Sequence, residues 1–334
     1  MITIELIYNM NDAILITGYN GEIGTQTLLS LSERQIPIIA LDINKSDIKY
    51  DNVVYIKDSI LNENIIKSIF NDYNIIEVYH FAALLSQSAN NNPELANQVN
   101  EKGSKLIINT AMNHGKENEA FIKIFFPSSI AVYGPRKLKN AQEFDIMKPQ
   151  TIYGRNKLAI EQFGTQKHEE SLGLGFGIDF RCLRFPGIIS PFTVPSGGTT
   201  DFAPQMLHAA FKNENYTCKV DSLTRLPFLG MKNTIKVILD IMSFKTINSK
   251  LRAFNVQEMS LNPIEIIEQL QKEFPKFIVD FNIDSKFQSI ADTWPESLNC
   301  DEASEKWNFI NKHNNDVTFK EYLIPEIKKH YGKH

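Results

Sequence analysis

The stretch that most constrains this chain is Ala13 to Gly24. An apolar run, Ala13-Ile-Leu-Ile16, feeds Thr17-Gly18-Tyr-Asn-Gly21-Glu-Ile-Gly24, and a helical pattern follows through Leu31. A glycine-rich turn between a strand and a helix is the context a phosphate-binding loop requires. The first glycine permits the tight turn, the second lets backbone amides approach a pyrophosphate, and the third lets the helix pack on the strand. The anion then rests at the positive end of the helix. A chain that begins in this way is committed to β-α-β units and a parallel sheet.

The rest of the first half keeps that rhythm. Apolar runs at 36–41, 53–56, 75–81, 121–126 and 178–185 alternate with helical patterns. These patterns cover about 61–73, a segment from Asn92-Pro93 to Gly115, and a helix carrying Tyr153 and Lys157 as far as Leu172. After Pro186 the rhythm changes. Pro191, Pro195, Gly197 and Gly198 mark a loop, and helices near 201–212, 232–244, 263–274 and 318–331 mix with short strands. The expectation is an α/β protein. A Rossmann-type doubly wound parallel sheet spans 1–185, and a smaller C-terminal α/β substrate lobe spans 186–334, with chain crossing between the two. The 334 residues, 43% of them hydrophobic, suffice for both cores.

Composition removes several classes of function. Thirty-five basic residues against 39 acidic ones give a formal charge of −4. No basic stripe exists to gather a phosphate backbone, so nucleic acid is not an expected partner. Cys182, Cys218 and Cys300 are odd in number and widely spaced, which suits neither a disulfide framework nor a structural zinc site and points to a reducing compartment. No run reaches the roughly 18 to 20 apolar residues of a membrane span. Met1 to Asn11 reads as neither a signal nor a transit peptide. The cytosol is therefore expected, or an organelle matrix after removal of a presequence. The histidines show no His-x-x-x-His in a core helix, and His330 and His334 sit at the C-terminus, so no metal is expected.

The chemistry-bearing residues fall at strand ends. Asp42 closes the second run, where a carboxylate can accept from ribose hydroxyls and repel a 2′-phosphate, favouring NAD over NADP; the plainer reading is a turn cap. Asp58 closes the third run and could accept from an adenine amino group. His80-Phe-Ala82-Ala83 closes the fourth with small residues that let backbone pass beneath a cofactor; His80 itself reads as a packed strand residue. Ser129 follows the fifth run. Tyr153 and Lys157, four apart, share one helix face, so the ammonium can favour the ionised phenol; an exposed helix pair is the bland alternative. Tyrosine titrates near 10, and a base working near neutrality needs a shift of about 2 to 3 units, roughly 3 to 4 kcal/mol. Ser129, Tyr153 and Lys157 together suit removal of a hydroxyl proton as hydride leaves for a nicotinamide.

Thr17-Gly-x-x-Gly-x-Ile-Gly24, Ser129 and Tyr153-x-x-x-Lys157 resemble the extended short-chain dehydrogenase/reductase superfamily. Four further strings, His80-Phe-Ala-Ala-Leu-Leu-Ser86, Pro127-Ser-Ser-Ile-Ala-Val-Tyr-Gly134, Leu183-Arg-Phe-Pro-Gly-Ile-Ile-Ser190 and Gly197-Gly-Thr-Thr-Asp201, narrow the likeness to the short-chain, zinc-independent L-threonine 3-dehydrogenase family. It covers nearly the whole chain, through Ile290-Ala-Asp-Thr-Trp-Pro295. The resemblance implies oxidation of the 3-hydroxyl of L-threonine with NAD to 2-amino-3-oxobutanoate, which a CoA-dependent ligase can split into glycine and acetyl-CoA. It implies Tyr153 as base, Lys157 as its electrostatic and ribose-binding partner, and Ser129 as the hydroxyl-orienting group. Around the cofactor it places Gly18, Asn20, Gly21, Glu22, Ile23, Gly24, Asp42, Asp58, Ala82, Ala83, Leu84, Asn100, Phe185 and Ile188. Around the substrate it places Ser86, Thr199, Thr200, Asp201 and Trp294 with Ser129 and Tyr153. A homodimer is the implied assembly.

Three places depart from the family pattern. Asn156 replaces a serine, Ser196 replaces a glycine or its neighbour, and Phe228 to Asn233 replaces a methionine-rich segment. Pro186-Gly187 and the glycines at 197 and 198 read as hinges for closure over substrate. Two rivals stand beside this reading. A nucleotide-sugar epimerase or dehydratase needs cations for a diphosphate, of which Arg225 alone stands out, and a non-catalytic NAD sensor leaves the triad without purpose.

Overall fold

The structure is a computed structural model and describes residues 12–45, 48–134, 138–195, 198–246, 249–309 and 315–332. Ser196, Gly197, His334 and the segment from Met1 to Asn11 lie outside the described residues. The first strands and helices follow the expected rhythm: β1 (Asp12–Thr17), α1 (Glu22–Ser32), β2 (Ile38–Asp42), β3 (Val53–Lys57), α2 (Glu63–Asp72) and β4 (Asn74–His80). Next come two short helices, α3 (Ser86–Asn91) and α4 (Pro93–Ala96), a π-helical turn over Asn97–Gly103, and α5 (Ser104–Glu117). β5 (Phe121–Ser129), α6 (Ile152–Leu174), β6 (Gly177–Phe185) and β7 (Gly187–Ile189) follow. The remainder opens with α7 (Phe202–Lys212), β8 (Tyr216–Cys218), β9 (Leu226–Gly230), α8 (Met231–Ser243) and β10 (Ala253–Asn255). It continues with β11 (Met259–Leu261), α9 (Pro263–Gln271), β12 (Val279–Phe281) and, among the described residues, five further short helical segments to Tyr331.

Seven strands form one sheet in the order β10-β6-β5-β4-β1-β2-β3, the Rossmann-type arrangement the apolar runs implied. Its pairs β1/β2, β1/β4, β2/β3, β4/β5 and β6/β10 are all parallel. Every residue of β1 is buried, as an interior parallel strand covered on both faces requires. The sequence reverses direction through the sheet at β1 and β4, and in open α/β sheets the crevice at such a switch point, outside the carboxyl ends of the strands, takes the ligand.

Three features were not legible in the hydrophobic pattern. β10 is only three residues long and comes from the C-terminal part of the chain, so nothing local marks it as a sheet strand. The helix expected from Asn92 to Gly115 is interrupted by the π turn, which barely alters apolar spacing over one turn. β5 continues through Pro127 to Ser129, although the proline suggested an end at Phe126. Its ladder with β4 stops at Phe125, so the missing proline N–H costs that pairing nothing, and the Pro127 carbonyl remains an acceptor.

The chain forms two compact units from discontinuous segments: Met1–Ala83, Asn97–Phe126 and Gln162–Arg181 in one, Leu84–Ala96, Pro127–Glu161 and Cys182–His334 in the other. β5 and β6 each carry the chain across that division. The first unit contains β1 to β4 with α1, α2 and α5. The second contains a three-stranded sheet, β11-β9-β7, and the parallel pair β12/β8. In it β9, wholly buried, pairs parallel to β7 and antiparallel to β11. α9 opens with a capping box between Asn262 and Glu265 behind Pro263, a start that local sequence dictates.

Candidate active site

In the first unit the glycine turn is shaped by backbone. Gly18 follows β1 with φ +70°, and a Cβ there would stand 2.5 Å from the Ala82 amide nitrogen. Glycine alone meets both the left-handed conformation and this approach. No side chain caps the start of α1 at Gly21, the condition under which the first-turn amides of a helix can hold an anion. Glu22, Ile23 and Gly24 form that turn. Asp42 accepts from the Asn20 amide at 3.1 Å through one carboxylate oxygen and from the Asn44 amide at 2.9 Å through the other. It therefore both caps its turn and fastens the glycine loop, and each oxygen keeps a lone pair for a hydroxyl donor. Asp58 is used locally: it accepts from the Ser59 amide at 2.7 Å and from the Asn62 side chain at 3.0 Å, and Asn62 caps α2.

His80, 2% exposed, ties this cradle together. Its Nδ1 meets Thr17 Oγ1 at 2.6 Å and its Nε2 meets Ser104 Oγ at 2.8 Å. Ser104 donates its hydroxyl proton to the Asn100 carbonyl, so it accepts from His80 Nε2–H, and His80 Nδ1 accepts from Thr17. The tautomer assigned this way is the neutral Nε2–H form. The chain of bonds joins the end of β1, the end of β4 and the π turn that carries Asn100. The histidine is a packed, fully directed connector. Ala83 closes this segment of the first unit.

The second unit holds Ser129, Tyr153 and Lys157, and with them Leu84, Ser86, Phe185, Ile188, Thr199, Thr200, Asp201 and Trp294. Tyr153 lies in the first turn of α6 and Lys157 one turn on. Ser129 ends β5, where its hydroxyl accepts from the Ala131 amide at 3.2 Å and starts a short 3₁₀ turn over Ile130–Val132. A Cβ at position 154 would stand 2.2 Å from the Ala131 carbonyl oxygen, so Gly154 is what lets the start of α6 close on the turn that presents Ser129. Lys157, 4% exposed, donates to the Pro127 carbonyl at 2.6 Å, and its Nζ lies 5.5 Å from the centre of the Tyr153 ring.

Electrostatics differ from the simplest expectation. Burial pushes the Tyr153 phenol up to about 12, with the hydrogen bond from Ser129 working the other way. Burial also pushes the Lys157 ammonium down to about 8, against the Cys182 thiol and the Glu161 carboxylate. In the protein alone, desolvation of the phenol therefore outweighs the help the lysine was expected to give the phenolate.

Beneath this trio lies a buried polar cluster that no local pattern announced. Arg184 Nε and Nη2 donate to Glu161 at 3.0 and 2.8 Å, and Nη1 donates to the Tyr133 hydroxyl at 3.1 Å and the Glu143 carbonyl at 3.0 Å. Tyr133 donates in turn to the Asn255 side-chain oxygen at 2.7 Å, and Asn255 gives its amide N–H to the Glu143 carboxylate at 3.0 Å. Glu161 is the residue one turn after Lys157, Tyr133 follows Ser129 by four positions, and Asn255 lies in β10. The signals in the sequence were that four-residue step from Lys157 and the Arg184 within Leu183-Arg-Phe-Pro-Gly.

The loop before α7 is folded on itself. The Gly198 amide donates to Asp201 at 2.6 Å, and Gln205 holds the Pro195 carbonyl at 2.8 Å. Neither threonine caps α7 through its side chain; Asp201 occupies that position without a side-chain cap bond. Thr199 and Trp294 are each 5% exposed. Thr200 packs beside β7, where a Cβ on Gly187 would stand 2.8 Å from the Thr200 Cβ and 2.6 Å from the Phe228 ring. Arg225 is engaged by Glu265 and the Ser260 carbonyl, both at 2.5 Å. Among the described residues no group of three or more His, Cys, Asp or Glu is placed to hold a metal, and no helix is long and apolar enough to cross a membrane.

Three comparisons bear on this geometry. The sequence profile of the NAD dependent epimerase/dehydratase family matches residues 14–256. The chain is similar to the mitochondrial L-threonine 3-dehydrogenase of Sus scrofa, 32% identical over 325 residues that span 96% of this chain and 83% of the relative. Among solved structures it is similar to a monomeric L-threonine 3-dehydrogenase from a metagenome, in its apo form, with TM-score 0.84, 33% identity and coverage of 95% and 99% of the two chains. It is also similar to the L-threonine dehydrogenase of Clostridium difficile, with TM-score 0.86, 29% identity and coverage of 96% and 99%.

Proposed function

Because the chain belongs to the NAD-dependent epimerase/dehydratase family of extended short-chain dehydrogenases, with NAD as its cofactor, we propose that it oxidises the 3-hydroxyl of L-threonine to the ketone of 2-amino-3-oxobutanoate. The observation that carries the reaction type is the convergence, within the second unit, of Ser129, Tyr153 and Lys157 around the end of β5. The likeness to L-threonine 3-dehydrogenases carries the substrate.

The residues divide the work as follows. The uncapped start of α1 and the glycine approach at position 18 fit a pyrophosphate, and Asp42 fits a ribose diol and disfavours a 2′-phosphate. A bound oxidised nicotinamide would supply the hydride acceptor and, before transfer, a positive charge that favours the ionised phenol. Ser129 orients the threonine hydroxyl. Tyr153 takes the hydroxyl proton. Lys157 stabilises the phenolate. Ser86, Thr199, Thr200, Asp201 and Trp294 form the pocket for the zwitterion and its methyl group; Trp294 supplies apolar surface and the others polar groups. Leu84, Asn100, Phe185 and Ile188 complete the cofactor contacts. The pairing of Arg225 with Glu265 supports a small amino acid over a sugar diphosphate, since it occupies the cation that a diphosphate would use. One chain supplies every group this reading needs, and the solved metagenome relative is monomeric.

NADH absorbance measured with NAD and, in separate assays, L-threonine, D-threonine, serine and UDP-sugars tests the reading. L-Threonine is expected to give NADH. Conversion of a UDP-sugar with none from L-threonine overturns it, and NAD binding without turnover on any of these substrates makes the protein a sensor.

A further inference from the structure

The cluster under α6 is larger than packing alone explains. Arg184 and Glu161 are 2% and 4% exposed, and their bidentate pair, which joins β6 to α6, reaches three other segments: the turn after Ser129 through Tyr133, the loop holding Glu143, and β10 through Asn255. Replacing a buried ion pair by apolar groups of similar shape is often neutral or stabilising, so its presence here asks for a purpose beyond stability. Its position supplies one. Glu161 stands on the same face of α6 as Lys157, while Tyr133 and Arg184 hold the turn and the strand on either side.

We propose that Glu161, held in place by Arg184, is the positioning residue that keeps the Lys157 ammonium charged and aimed at the end of β5, and thereby sets the ionisation of Tyr153. This rests on the reading of Tyr153 as the base. The charged and titratable groups around the lysine leave Glu161 in that role. On α6 itself stand Tyr153 and Glu161; from β5 come the Pro127 carbonyl and the Ser129 hydroxyl; from β6 come Cys182 and Arg184; Tyr133 and Glu143 act behind Arg184. Burial works against the Lys157 charge, and the two groups that oppose it are Cys182 and Glu161. Cys182 is itself pushed well above its usual range by burial, with Glu161 adding to the effect, so at neutral pH it is an uncharged thiol. The Glu161 carboxylate is then the anion that favours the ammonium. Arg184 in turn fixes that carboxylate: burial opposes its charge, but Glu161 more than offsets this and holds the guanidinium above its ordinary value.

The consequence for pH is direct. An ammonium at Lys157 favours phenolate at Tyr153, so losing it raises the pH at which Tyr153 ionises. In Glu161→Gln, Lys157 loses its proton at lower pH and the rise of kcat/KM with pH moves to higher pH. The test reads Tyr153 without requiring threonine turnover: the ultraviolet phenolate signal of the protein minus that of its Tyr153→Phe counterpart, titrated with and without Glu161→Gln, in the presence of NAD. The expected midpoint in Glu161→Gln is higher by about one pH unit or more, Glu161→Asp recovers part of the shift, and kcat falls more than KM changes. An unchanged midpoint with lost activity overturns the proposal and leaves Glu161 a structural residue; an unchanged midpoint with full activity overturns it outright. If Glu161→Gln does not fold because Arg184 is left unpaired, Glu161→Gln with Arg184→Met removes both charges, and the midpoint is still expected to rise; no rise there overturns the proposal. The titration stands even if L-threonine is not the substrate, so the failure of that reading is told apart from the failure of this one.

Discussion

The cradle in the first unit and the trio in the second solve the same problem, fixing polar groups in a set geometry, by opposite means. In the cradle the backbone does the work: Gly18 approaches Ala82, α1 opens uncapped, and Asp42 accepts from two amides. Its residues are close in sequence or sit at the ends of neighbouring strands. In the trio the work is done by side chains from α6, β5, β6 and β10 that meet only through tertiary packing, with an ion pair buried among them. A backbone site tolerates loss of a side chain but not gain of one. A side-chain site behaves the other way, because each buried partner removed leaves another unsatisfied.

The largest test of that contrast is Tyr153→Phe, which removes the phenol hydroxyl proposed as the base and keeps the ring. Turnover of L-threonine is expected to fall about 10³-fold, within the range for a positioned general base, while NAD affinity measured by calorimetry stays near that of the unaltered protein. Retained full rate would exclude Tyr153 as the base. Next is Arg184→Met, which leaves Glu161 buried without its partner; urea denaturation should show a loss of about 3 to 5 kcal/mol, and a loss under about 1 kcal/mol would mean the pair is dispensable. Gly18→Ala adds the one atom the cradle cannot hold. A loss of about 1 to 3 kcal/mol from the left-handed backbone and close contact is expected, together with loss of NAD binding, whereas an apolar truncation nearby, such as Ile23→Ala, should disturb NAD binding far less. The smallest effect is expected at Asp42. Asp42→Asn keeps the shape, removes the charge that repels a 2′-phosphate, and should narrow the preference for NAD over NADP by about tenfold, or 1.4 kcal/mol, read from the two kcat/KM values.

Local pattern and tertiary arrangement contributed differently to what could be read in advance. Thr17 to Gly24 announces a strand, a turn and a helix because glycine and hydrophobic periodicity act within a dozen residues. The parallel sheet follows from the alternation of short apolar runs with helices. The Tyr153-x-x-x-Lys157 step is likewise local, since a helix puts residues four apart on one face. The fates of Asp58 and Asp201 were not legible in this way. Asp58 turns to Asn62 and Asp201 to the Gly198 amide because loop conformation decides which donor a short carboxylate meets.

The sequence by itself therefore determined the class of fold, the glycine turn between β1 and α1 and the one-turn step from Tyr153 to Lys157, all of them set by backbone preferences and spacing within single elements. Tertiary structure alone decided that β10 joins the sheet and that Lys157 bonds to the carbonyl of Pro127. It also decided that burial drives the Tyr153 phenol up and that Arg184 finds Glu161 across 23 residues of chain. The physical reason is that hydrogen bonding and desolvation inside a core depend on which distant segments exclude water together, and no local spacing encodes that.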